Sequence, residues 1–267
     1  MIRQVKGIVK KEIIRTLRHP QIILFEIMLP IISFIPLLIT TLSLRIQSGD
    51  SIFVQLTGTQ SMINYFFTLL FYLIFVNLSE GSGYLLQNES EMGTLEQIII
   101  SPYKSISLIL GWYSFLLLKM IVYFLIFATL SVFVLDLSAL NPLLLLISFL
   151  FMMIYSFGLG IIITAITLRF KQADAIVFSI VGILPIISCV TFPIELLNDN
   201  LQFLSRILPT TYLFDLIKHS LSGSYLMLPI YLIIIILSIG SVVFIFLSVL
   251  FYKNMFRRIK KCGTIYV

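Results

Sequence analysis

Six apolar stretches govern what this sequence can fold into: residues 22–44, 57–78, 106–135, 143–168, 175–192 and 225–252. A helix needs about 20 apolar residues to cross a hydrocarbon layer of about 30 Å, and each stretch is close to or above that length. Backbone amides inside a bilayer must be satisfied within the protein, so runs this long are expected as helices; barrel strands would alternate over about ten residues. The expected fold class is an all-α integral membrane protein with six transmembrane helices in a single domain over 1–267. Composition agrees. Of 267 residues, 59% are hydrophobic and only 11% charged, too little charge to cover a soluble domain of this length. The basic opening runs into an apolar segment of spanning length with no small-residue cleavage site, so the first span is expected to stay in place. Cys189 and Cys262 have neither disulfide-framework nor metal-ligand spacing.

Lysines and arginines in short loops set orientation. Residues 1–20 carry Arg3, Lys6, Lys10, Lys11, Arg15 and Arg18, the loop after the second stretch Lys104, the loop after the fourth Arg169 and Lys171, and the tail Lys253, Arg257, Arg258, Lys260 and Lys261. Only Arg45, Arg206 and Lys218 fall on the other side, and both termini are therefore expected in the cytoplasm. The net charge of +6 follows from topology, and no basic folded surface suggests a nucleic-acid partner.

The opening segment, up to Pro20, spaces Ile2, Val5, Ile8, Val9, Ile13 and Leu17 among its bases, the pattern of an amphipathic helix lying on the inner leaflet. It reads either as an anchor for anionic lipid or as a lever on a partner subunit. The segment 89–105, ESEMGTLEQIIISPYKS, carries the most specific signal. Gly93 reads as a hinge, followed by a short helix over 94–100 that ends before Pro102. Thr94 can cap that helix, with Glu91 and Glu96 at the positive end of its dipole. Leu95, Ile98 and Ile99 form an apolar stripe with nothing in so short a loop to cover it. It is either a docking surface or a helix lying flat in the interface.

The MGTLEQIIISP stretch resembles the coupling-loop motif of type-2 ATP-binding-cassette (ABC-2) permeases of the drug-efflux kind, an acidic residue followed by G-T-L-E, apolar residues and S-P. The opening KKEIIRTLRHPQIILFEIMLPIISF is similar to that family's basic helix leading into a proline-containing first span. Phe192, Pro193, Glu195 and Leu204, through Leu208, Pro209, Thr210, Thr211 and Tyr212, resemble the external segment before its last span. The resemblance implies a permease of an ATP-driven exporter in a bacterial cytoplasmic membrane. Its partners would be two copies of an ATPase subunit, which bind ATP and Mg, and a second permease chain in a homodimer or heterodimer. The cargo would be a hydrophobic or amphipathic drug, antibiotic, peptide or lipid. The arginine-rich, tryptophan-containing opening of the polysaccharide branch is lacking here, which places polysaccharide, teichoic-acid or lipid-glycan export second. A secondary transporter or channel is third, because no internal symmetry between halves is visible.

A phosphate-binding loop of the G-x-x-x-x-G-K-[ST] kind is missing, as are H-E-x-x-H and G-x-S-x-G. The expectation is a transport subunit rather than an enzyme, without a cofactor or metal of its own. Charges inside spans are functional candidates by default: Glu26 about one turn into the first, expected to snorkel or pair with a base, and Lys119 near the middle of the third, either pairing with an acid on another helix or touching substrate. Asp174, beside Arg169 and Lys171, reads as a loop anchor. Pro193, Pro209 and Gly223 punctuate two short amphipathic helices over 195–208 and 211–221. They read as a re-entrant external gate that includes Glu195 and Tyr212, or as a surface cap.

Overall fold

The computed structural model describes residues 2–19, 21, 24, 28, 32, 59–91, 93, 105–134, 140–170, 173–192 and 194–262, which form helices joined by turns, bends and short irregular stretches, with no strand among them. The helices are α1 (Ile2–Arg18), α2 (Thr59–Glu91), α3 (Ser105–Val134), α4 (Pro142–Arg169), α5 (Asp174–Ile187), a 3-10 turn (Ile194–Leu196), α6 (Asp199–Ile207), α7 (Pro209–Ser222) and α8 (Ile230–Cys262). Four of them contain apolar stretches long enough to cross a membrane: Asn64–Gln87, Leu110–Thr129, Pro142–Thr167 and Ile230–Met255. These overlap four of the six expected spans. The fifth, Ala175–Ile187, is an apolar helix of lesser length. Most of the first expected span, Glu26 included, lies outside the described residues; Leu24, Met28 and Ile32 in it are helical and exposed.

The core centres on α2, which packs on α3, α4 and α7. Phe67, Phe71, Phe75 and Leu78 of α2 are buried together with Met120 of α3, Met152 and Tyr155 of α4 and Leu213, Phe214 and Leu216 of α7. Edge-on aromatic pairs join the elements: Phe75 to Phe214 at 5.9 Å and 86°, and Tyr72 to Phe214 at 5.6 Å and 62°, an arrangement the ring quadrupole favours. Lipid gives little hydrophobic drive between helices, so close backbone approach and side-chain hydrogen bonds matter more. The α2–α4 contact has both. A Cβ on Gly160 would meet the Ser82 Oγ at 3.0 Å and the Ser79 carbonyl at 3.2 Å, while Ser82 donates to the Gly160 carbonyl at 3.2 Å and Thr164 to the Ser82 hydroxyl at 3.0 Å.

The α1 helix does not stand alone on a lipid surface. It packs along α3, with Ile8 seated where a Cβ on Gly111 would come within 2.8 Å of its Cδ1. Val5, Ile8, Val9, Glu12 and Thr16 form the covered seam, at the i, i+3, i+4, i+7 spacing of one helical face. Glu12 is buried, 3.8 Å from Arg15 and 4.0 Å from Lys11. Ile13, Ile14 and Leu17 remain exposed. Thus Val5, Ile8 and Val9 turn inward and Ile13 and Leu17 do not, so α1 offers α3 a narrower apolar stripe than its composition suggests.

Candidate functional site

At the end of the bundle where α4 and α8 begin, the chain leaves helical geometry. Pro185 lies inside α5 and has no N–H to give the Val181 carbonyl one turn earlier. The Tyr72 hydroxyl of α2 donates to that carbonyl at 2.5 Å. Two residues later α5 stops, so the expected span over 175–192 is a helix of 14 residues followed by a turn. Cys189 in that turn takes φ +52°, and the Val190 N–H returns to the Pro185 carbonyl at 3.0 Å.

The α7 helix fastens this turn. Lys218 donates to the carbonyl of Cys189 and, at 3.3 Å, to that of Phe192. A cation is thereby placed beyond the C-terminus of α5, where the helix dipole favours it. Burial lowers Lys218 from its ordinary 10.5 to about 8, with Asp215 opposing the fall, so at neutral pH it remains a charged donor. Burial likewise raises Asp215, against the pull of the Met227 N–H and Lys218. The Asp215 carboxylate accepts that N–H at 3.0 Å and ties down the segment that follows α7. Ser188 and Thr210 share a hydrogen bond at 2.7 Å, and Thr211 donates to the Ser205 carbonyl at 2.7 Å.

Nearly every side of α7 is covered: Thr210, Leu213, Phe214, Asp215, Ile217 and Leu221 are all buried. A Cβ on Gly240 would meet Pro209 at 3.3 Å, and Gly240 lies about 15 Å along α8 from its start at Ile230. At its other end Gly223 takes φ +66° and returns its N–H to the His219 carbonyl, a left-handed cap suited to glycine. There the Ser220 carbonyl accepts from the Asn141 N–H at 2.8 Å, beside the start of α4. The α7 helix thus runs from about a third of the way along α8 out to the end of the bundle. Of the expected gate residues, Glu195 is exposed in the 3-10 turn, Pro209 opens α7, and the Tyr212 hydroxyl donates to the Arg206 carbonyl at 2.9 Å. Pro193 lies outside the described residues.

At the opposite end, α2 continues well past the expected stretch, to Glu91. Gly93 follows, exposed at φ +69°. Thr94, Leu95, Glu96, Ile98, Ile99 and Pro102 lie outside the described residues. Lys119 of α3, 5.8 Å from the Tyr123 ring centroid, lines a cleft of about 310 Å³ with Glu12 and Arg15 of α1 and Asn77, Glu80 and Tyr84 of α2. Sequence reasoning separated these groups. Glu80 fell beyond the expected end of the second span although it lies inside the apolar stretch Asn64–Gln87, and Lys218 was read only as one external base. Asp215, an opposite charge three residues earlier on the same helix, was the available signal.

These elements define a multi-pass, all-helical membrane protein. Residues 3–222 match the family model described as ABC-2 type transporter, and the chain belongs to that family. The curated proteins contain no match to it. Membership makes the chain a membrane transport component, the permease of an ATP-binding-cassette exporter; the family works with an ATP-binding-cassette ATPase carried on a separate subunit.

Proposed function

We propose that this permease exports a hydrophobic or amphipathic compound of the drug, antibiotic, peptide or lipid class from a bacterial cytoplasmic membrane, with both termini in the cytoplasm. The observation that carries the reading is the enclosed α7 helix fastened to the interrupted α5. Non-helical backbone at membrane depth is tolerated where it is buried in protein or lines a cavity, and here it supports a re-entrant external gate. Glu195, Pro209 and Tyr212, with the neighbouring Pro193, belong to that gate. Energy enters at the other end. The extension of α2 to Glu91 and the turn at Gly93 support a lever that presents Thr94, Leu95, Glu96, Ile98, Ile99 and Pro102 to the ATPase. Two ATPase copies binding ATP and Mg, with a second permease chain, complete the exporter.

Burying a Leu or Ile side chain contributes about 1.5–3 kcal/mol, and a charged hydrogen bond from Glu96 adds about 1.5–3 kcal/mol, enough to seat such a lever. Leu95→Asp and Glu96→Lys are predicted to leave the permease inserted while abolishing co-elution with its ATPase and substrate-stimulated hydrolysis. Both variants binding and stimulating like wild type would remove the coupling assignment.

A further inference from the structure

The turn that ends α5 is held in a conformation its sequence disfavours. The Cys189 N–H returns to the Ile186 carbonyl at 3.2 Å and the Val190 N–H to the Pro185 carbonyl at 3.0 Å, the double closure that leaves one residue in left-handed backbone. Glycine usually fills that position, because a Cβ there crowds the following carbonyl. Gly223 closes α7 at φ +66°, whereas α5 has Cys189 at φ +52°, the one positive φ outside glycine among the described residues.

Contacts from both following helices hold Cys189 there. The residue is buried, and its thiol shares a hydrogen bond with the Ser205 hydroxyl of α6 at 3.4 Å. Its carbonyl accepts from Lys218 of α7. The same ammonium reaches the Phe192 carbonyl at 3.3 Å and lies 5.2 Å from the Tyr65 ring centroid of α2. One residue earlier, the Ser188 hydroxyl meets that of Thr210 at 2.7 Å. Strained backbone persists only where its surroundings over-determine it, and such positions gather in switch regions. Here the constraints come from α6 and α7, so movement of α7 away from α5 removes them together.

We infer that the Cys189 turn is a strained catch on the gate: Lys218 and Ser205 hold Cys189 left-handed while α7 is seated, and opening releases it. The inference rests on the reading of α7 as an external gate. Because the strain belongs to the closed arrangement alone, it lowers the cost of opening. Glycine at 189 removes that help, while alanine keeps the Cβ and with it the strain. A turn with no part in gating would be tightened by glycine without any effect on α7.

The test uses the full-length permease with its ATPase in sealed right-side-out vesicles, with ATP inside and a membrane-impermeant maleimide outside. Cys262→Ser combined with Cys189→Ala or Cys189→Gly leaves a single thiol, supplied by Leu221→Cys at a fully buried position of α7 three residues beyond Lys218. Labelling is expected to need ATP in the alanine protein and to be roughly fivefold slower in the glycine protein. Lys218→Met added to the alanine protein leaves the turn carbonyls without their donor and is expected to raise labelling without ATP roughly tenfold. Trp112, the chain's single tryptophan and buried in α3, reports folding by its emission. Should Leu221→Cys lose that signal, the nearly isosteric Ser220→Cys, also buried, carries the thiol instead. ATP-dependent labelling at equal rates in the alanine and glycine proteins overturns the catch and spares the gate. A folded Lys218→Met protein that labels without ATP no faster than its parent does the same. Labelling that ATP leaves unchanged removes the gate from this end, and the catch with it.

Discussion

The two ends of this bundle solve the same problem in opposite ways. Where α5 breaks and α7 enters, side chains satisfy the backbone: Tyr72 reaches the Val181 carbonyl, Lys218 those of Cys189 and Phe192, and Asp215 the Met227 N–H. Where α1, α2 and α3 meet, the helices are continuous and their backbones satisfy themselves, so the polar side chains face a cleft instead. The contrast teaches that the backbone depends on side-chain donors and acceptors where the chain is interrupted and does not where the helices are continuous. An orphaned amide or carbonyl in a bilayer has no water to fall back on.

Substitutions can break or sharpen this contrast. The largest effect is expected from Gly160→Val at the junction of two continuous helices. Its Cβ would press on the Ser79 carbonyl, backbone that cannot swing away, and a loss of about 3 kcal/mol is expected in reversible unfolding. Next is Tyr72→Phe, which leaves the Val181 carbonyl without its donor at about 2 kcal/mol by the same measurement. Tyr113→Phe removes a hydroxyl that donates to the Met153 carbonyl. That carbonyl lies within the uninterrupted α4 and keeps its helical N–H, so the loss is about 0.5 kcal/mol. Equal losses for the two tyrosines would erase the distinction between the ends.

The smallest effect is a slope with pH. Lys218 sits at about 8 when folded and 10.5 otherwise, so between these values the unfolded chain holds more protons. Stability of the α7 end therefore rises with pH across that window, seen as a larger amide protection factor once the base-catalysed rise of the intrinsic exchange rate is divided out. Lys218→Met flattens the slope.

Spans are legible wherever an apolar run is long and unbroken, which is why the stretches containing Phe75, Met120, Met152 and Leu237 overlap membrane-length helices. Their ends are less so. The tail of α2 through Glu89 and Glu91 is polar enough to read as loop, yet its Leu, Gln and Glu residues favour helix. Pro209 and Gly223 bracket α7 as punctuation in the sequence suggests. The meeting of Glu12, Glu80 and Lys119 was not legible, because periodicity within one helix carries no record of which helix lies alongside. Nor was the pairing of Tyr72 with a carbonyl more than a hundred residues away, although Pro185 announced that the carbonyl would need a donor.

The central claim, an ATP-driven exporter permease with its gate at the α7 end, is tested most directly by transport in sealed inside-out vesicles containing the permease and its ATPase. Accumulation of an amphipathic dye in the lumen is predicted to require hydrolysable ATP, to persist when ion gradients are collapsed and to stop in Leu95→Asp. Accumulation that proceeds without ATP and follows an ion gradient would contradict the account.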